Sequence, residues 1–333
     1  MKKLLLALTL GSYLFANGVV NVYTSRHYDS DKIVFDAFTK ETGIKVNLVQ
    51  DKIDPLIKKL ESEGADTSAD VFMTVGAGDL YKAKTMGLLA PIKSSVVDKN
   101  IPAKFKDKDN NWVGITYRAR IIAYDPTKVD VKELSTYEDL ANPKWKGKIL
   151  TRSSTSSYNR HLISFMITKD GEEATQKWAD ALTKNFARDP KGNDRDQAKA
   201  VVAGIGDIAI MNSYYIGRMS VSKDPIEQEV FKKLKIFFPN QNDGGTHINI
   251  SGAGLTKHAK NKENAIKLIE FLSTPKAQDI IATTNYEFPT NKDAKVADVV
   301  KSWGEFKASE ISFDEIGKNL EKAQVIADKA MWK

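Results

Sequence analysis

From Val19 onwards the chain alternates short apolar runs with amphipathic stretches. "VVNVYTS" (19–25) reads as a strand. "DSDKIVFDAFTKETG" (29–43) follows with helical spacing, Asp29 or Ser30 as its cap and Gly43 as its stop. "IKVNLVQ" (44–50) is a second strand, "DPLIKKLESEG" (54–64) a second helix, "ADVFMTV" (69–75) a third strand and "GDLYKAKTMGLL" (78–89) a third helix. Such a β-α-β-α-β rhythm predicts a mostly parallel sheet covered by helices. "WVGITYRARIIAYDP" (112–126) is a long extended segment that predicts a crossing between lobes. The rhythm resumes with "GKILT", helices over 156–171, 172–186 and 195–204, and the strands "DIAIMN" and "KIFFP". A glycine-rich return, "GGTHINISGAGLT" (244–256), leads to helices over 261–273 and 275–284 and a long amphipathic segment over 312–332. We therefore expect an α/β fold of two hinged lobes with the ligand in the cleft. Lobe 1 would hold residues 17–118 and 245–290, and lobe 2 residues 119–244 and 291–333.

The first residues have another purpose. Lys2 and Lys3 precede an apolar run from Leu4 to Phe15 and then Ala16, the layout of a secretory signal peptide over 1–16 cleaved near Ala16. The run is shorter than the roughly 20 apolar residues of a membrane-spanning helix. The chain has no cysteine, which excludes a lipid-anchored form, disulfides, thiol catalysis and zinc-thiolate sites. A periplasmic, freely soluble monomer is expected. The formal charge is +7, and loss of Lys2 and Lys3 leaves +5. The basic residues are scattered among acids, unlike the clustered face of a nucleic-acid binder.

In open α/β sheets ligands lie beyond the carboxyl ends of strands. Three such ends carry phenols: "SRHYDSD" with His27 and Tyr28, "RSSTSSYNRH" with Tyr158, and "SYY" with Tyr214 and Tyr215. A free tyrosine has a pKa near ~10 and is a poor ligand at neutral pH. Only a strongly Lewis-acidic cation displaces its proton, and several phenolates with one imidazole suit a hard trivalent ion, above all ferric iron. A helix starting just after each tyrosine would favour the phenolate. Irregular backbone at the strand-to-helix junction would let Tyr214 and Tyr215 converge.

"VYTSRHYDSD", "STSSYNRH" and "MNSYYIGR" resemble the motifs of the periplasmic ferric-iron-binding proteins, the bacterial transferrin-like FbpA group. "YRARIIAYDP", the "GLL" before Pro91 and "FPTN" extend the resemblance along the chain. It implies a two-lobed fold closing over one Fe3+ and delivery to an ABC-type inner-membrane permease with its cytoplasmic ATPase. By motif match it implies His27, Tyr28, Tyr158, Tyr214 and Tyr215 as metal ligands. Some members add an anion held by an arginine and a hydroxyl. Arg118 and Thr155 stand at matching places, and Arg118 or Arg120 could instead balance the charge of four phenolates on a trivalent ion. Five protein ligands leave at most one place in an octahedron, so a synergistic anion is not expected to be required.

Two other readings compete. A binding protein of the same architecture could stack its tyrosines on an organic or anionic solute such as a polyamine, thiamine or phosphonate. A secreted hydrolase could use a serine within 153–157, although hydroxyls at a helix start are usually caps. Dinucleotide, phosphate-loop and His-Glu-x-x-His signatures do not match. His161 could support the site or lie on the surface, His247 sits in the return segment and His258 among lysines.

Overall fold

The computed structural model describes residues 18–333, so the signal-peptide segment lies outside the described residues. Ten strands form one sheet: β1 (Val19–Thr24), β2 (Lys45–Gln50), β3 (Val71–Thr74), β4 (Leu89–Ala90), β5 (Trp112–Tyr124), β6 (Ile149–Leu150), β7 (Ile208–Asn212), β8 (Lys235–Phe237), β9 (Ile248–Thr256) and β10 (Phe288–Pro289). The main path runs β2-β1-β3-β9-β5-β7-β6. Strands β1, β2 and β3 pair in parallel, as do β6 and β7. All pairings of β5 and β9 are antiparallel. The expectation of a mostly parallel sheet is thus corrected to a mixed one. The two longest strands run back through the middle instead of following the helix-mediated rhythm.

Strand β5 joins the two halves of the sheet. Its residues 112–119 pair with β9, and 120–124 pair with β7. Every residue of β5 except Tyr117 is buried, Thr116, Arg118 and Arg120 included. Covered on both faces, it cannot show the alternation of a half-solvated strand. Each fully buried isoleucine or valine there contributes about 1.5–3 kcal/mol.

Helix Asp29–Thr42 ends as expected at Gly43, whose left-handed φ of 73° suits a residue without Cβ. Its start differs: the cap residue is Tyr28, and Asp29 and Ser30 lie inside the helix. The long segment 312–332 is broken at Asn319 into Phe313–Lys318 and Leu320–Lys329. The first of these helices packs on both Ala77–Thr85 and Ser157–Asp170, the second on Ser157–Asp170 and Glu172–Thr183. Among the described residues no helix is long and apolar enough to cross a membrane.

Candidate metal centre

Strands β1, β6 and β7 all deliver the chain towards one place, and a helix starts there each time. Tyr28 caps Asp29–Thr42, Tyr158 is the second residue of Ser157–Asp170, and Tyr214 and Tyr215 are the second and third of Ser213–Met219. The paired tyrosines therefore stand in a regular helical turn, not on irregular backbone. Helical side chains lean back towards the N-terminus. In a first turn nothing precedes them, so both rings extend past the helix end into the same space, where they stack with centroids 4.2 Å apart.

The phenols meet across the sheet. The Tyr214 Oη lies 3.4 Å from that of Tyr28 and 3.3 Å from that of Tyr158. Tyr214 is only 1% exposed. The Tyr28 ring meets it edge-on at 6.1 Å, and the exposed His27 ring is 4.9 Å from that of Tyr28. A cavity of about 910 Å3 opens above the cluster, walled by His27, Tyr28, Tyr158 and Tyr215. Among the described residues no three His, Asp or Glu side chains gather as a metal site.

Burial pushes the Tyr28, Tyr214 and Tyr215 phenols above the ordinary tyrosine value, and the neighbouring phenols add to the rise. At neutral pH these three are protonated unless a cation takes the proton's place. Guanidinium groups surround them. Arg26 stands 5.0 Å and Arg218 5.8 Å from the Tyr28 ring centre, while Arg152 and Arg118 stand 5.2 and 5.8 Å from that of Tyr158. Arg118 opposes the rise at Tyr28, and Arg152 opposes that at Tyr215.

Two of the arginines proposed from sequence have different surroundings. Arg118 is buried, donating to Ser251 Oγ at 3.3 Å and to the Val75 carbonyl, and still faces a phenol. Arg120 is bound to Asp194 at 2.6 Å and to Asn159 at 2.6 Å, sharing that carboxylate with Arg152. Thr155 is exposed on the cavity wall, its hydroxyl 3.0 Å from that of Ser153. His161 is buried, with Nδ1 2.6 Å from the Ser157 carbonyl, and burial pulls its pKa down to about 4, so it is neutral. His247 is buried against Phe165, and His258 is exposed.

Sequence reasoning missed Arg26, Arg152 and Arg218, although each lies in a motif already singled out. Arg26 precedes His27, Arg152 follows the "GKILT" strand and Arg218 lies three residues past Tyr215. Arg26 is held by Asp31 at 2.6 Å with Glu287 at 4.0 Å, and Arg152 by Asp194 at 2.9 Å. Such pairs hold the cations in place, and removing one partner of a buried pair costs about 3–5 kcal/mol.

The family model for bacterial extracellular solute-binding protein matches residues 66–319. The chain belongs to the bacterial extracellular solute-binding proteins. Among the relatives of this solute-binding protein, iron uptake protein A1 of Synechocystis is 44% identical over 94% of this chain and 87% of its own length. The major ferric iron-binding protein of Neisseria meningitidis serogroup A is 31% identical over 86% of this chain and 85% of its own. Among solved structures, a Trichodesmium protein in complex with iron and citrate ligands superposes with a TM-score of 0.91 at 48% identity, covering 95% of this chain and all of that one. The ferric binding protein from Campylobacter jejuni gives 0.90 at 43%, covering 94% and 100%. The resemblance to the ferric-binding group therefore holds, and the fold is the two-lobed α/β architecture of periplasmic binding proteins. These relatives are binding proteins, not enzymes, which sets the hydrolase reading aside.

Proposed function

We propose that this solute-binding protein captures Fe3+ between its lobes through Tyr28, Tyr158, Tyr214 and Tyr215 as phenolates and His27 as neutral imidazole. The observation that carries this reading is the convergence of phenol oxygens on Tyr214, at 3.3 and 3.4 Å from two partners that follow different strands. Phenol oxygens converging on one point suit a shared cation better than stacking on an organic solute, because the oxygens face one another. A trivalent ion resolves the crowding by replacing protons. Four phenolates then leave one net negative charge on the ion, which Arg26, Arg118, Arg152 and Arg218 can offset. The lobes on this reading comprise residues 17–118 with 245–290 and 119–244 with 291–333, so His27 and Tyr28 close onto a half-site already holding three phenols.

On this reading the five ligands nearly fill an octahedron, so a synergistic anion is not required and one place stays open to water or a small anion. The cavity of about 910 Å3 leaves room for iron to enter still chelated by a carboxylate, beside Arg160 and Arg195 on its wall. The loaded protein would act in the periplasm as a monomer and deliver its ion to an ABC-type permease driven by a cytoplasmic ATPase. The test is to strip the protein of metal, add ferric citrate and count iron per chain. One tightly held ion supports the proposal, and no uptake against citrate refutes it.

A further inference from the structure

We propose that Asp194 is the positioning residue of the phenol cluster, fixing the strand end and the arginine that set Tyr158, Tyr214 and Tyr215 in place before a metal arrives. Its purpose rests on the ferric reading above; its contacts do not. Asp194 is the first residue of the helix Asp194–Val202 and is fully buried. A buried carboxylate is tolerated only where its charge is met. Its Oδ1 accepts from Arg120 at 2.6 Å and from the Asn212 amide N–H at 3.1 Å, and its Oδ2 accepts from Arg152 at 2.9 Å. Among the described residues it is the only carboxylate that pairs with either arginine.

Each branch ends beside a phenol. Asn212 closes β7, two residues before Tyr214. Arg152 follows β6 and stands 5.2 Å from the Tyr158 ring centre. Arg120 donates at 2.6 Å to Asn159, the residue after Tyr158, and the Asn159 amide donates at 2.7 Å to the Arg152 carbonyl. One carboxylate therefore ties β5, the end of β7 and the segment after β6 to the helix that carries Tyr158. Moving a guanidinium away would uncover a buried charge, so the network resists displacement. Asp194 reaches the phenols through these neighbours, in the way that outer residues orient the ligands of a metal.

The test compares Asp194→Asn with Asp194→Ala, first in the metal-free protein through 13C-labelled tyrosine rings. Asparagine keeps an acceptor for the Asn212 N–H but turns an amide towards Arg152. It should move the Tyr158 ring signal most, whereas alanine should move those of Tyr158, Tyr214 and Tyr215 together. Tyr158→Phe, Tyr214→Phe and Tyr215→Phe identify the three signals, and those of Tyr23 on β1 and Tyr81 in helix Ala77–Thr85 should stay in place. Retention of ferric iron against citrate should fall about 100-fold with alanine and about tenfold with asparagine. An unmoved Tyr158 signal or unchanged iron retention in Asp194→Asn overturns the proposal, so the test stands even if Asp194→Ala does not fold. Equal movement of every tyrosine signal also overturns it, since that is general loosening. A parent that takes up no iron refutes the ferric reading, while the ring signals of the metal-free protein still decide whether Asp194 sets the phenols.

Discussion

Tyr214→Phe separates the structural from the ligating role of the phenol cluster. The substitution removes one oxygen from a ring that stays buried, and with it hydrogen bonds to Tyr28 and Tyr158 at 3.4 and 3.3 Å. Neutral hydrogen bonds contribute about 0.5–1.5 kcal/mol each, and these two are at the long end of the range. The empty protein should therefore lose no more than about 1–2 kcal/mol. The metal is a different matter. Groups that merely orient a ligand change metal affinity about 10–100-fold, so loss of a coordinating phenolate should exceed ~100-fold, or about 2.7 kcal/mol at 1.36 kcal/mol per decade. The assay is iron retention against increasing citrate, followed by visible absorbance, with thermal melting of the empty form alongside. Tyr117→Phe is the control. That phenol is stacked between Phe105 and Phe288, and burial raises its pKa to about 12. If Tyr214→Phe holds iron as the parent does, or if Tyr117→Phe loses as much, the cluster is packing and the reasoning fails.

Because burial holds Tyr28, Tyr214 and Tyr215 protonated in the empty site, loading must release protons. Ferric affinity should then rise with pH, and the same affinity at pH ~6 and ~8 would contradict phenolate ligation. The sign for the empty protein is opposite. Phenol pKa values raised by folding contribute stability that is complete below pH ~10 and lost as pH climbs through the folded values, so ultraviolet titration should show at least three phenols ionising late, together with unfolding. Arg152→Gln removes a cation 5.2 Å from the Tyr158 ring. At about 1 kcal/mol for a partly screened charge, it should weaken iron about fivefold, and equilibrium dialysis showing no change would remove Arg152 from the site. His27→Ala with Tyr28→Phe should still colour with iron but fail to compact on loading. Small-angle scattering that shows full compaction of the double variant would rule out closure through both lobes.

Much of the candidate cluster was legible because its tyrosines follow three separate strand ends in the sequence. Phenols after three strand ends, one beside an imidazole, needed no tertiary information to be found. Helix Asp29–Thr42 was equally clear from its spacing and from Gly43. What sequence could not supply was whatever depends on distant partners. Arg26 is anchored in part by Glu287, which follows it by more than two hundred residues, and reads in isolation as a surface charge. The antiparallel course of β5 and β9 is invisible locally, since a buried strand has the same apolar run in either direction. Helix Pro225–Lys233 did carry a signal, with Asp224 capping Ile226 and proline in the first turn, but its charged sequence masks the apolar stripe. The break at Asn319 interrupts a periodicity that otherwise continues through both short helices, which share Ser157–Asp170 as a neighbour and differ in the second helix each packs on.

The central claim is that this protein holds ferric iron through phenolates. The most direct measurement is the visible spectrum of the metal-stripped protein titrated with ferric citrate. Phenolate-to-iron charge transfer should give a visible band that saturates at one iron per chain and weakens in each of Tyr28→Phe, Tyr158→Phe, Tyr214→Phe and Tyr215→Phe. Stoichiometric iron uptake without that band, or a band indifferent to all four substitutions, would contradict the account.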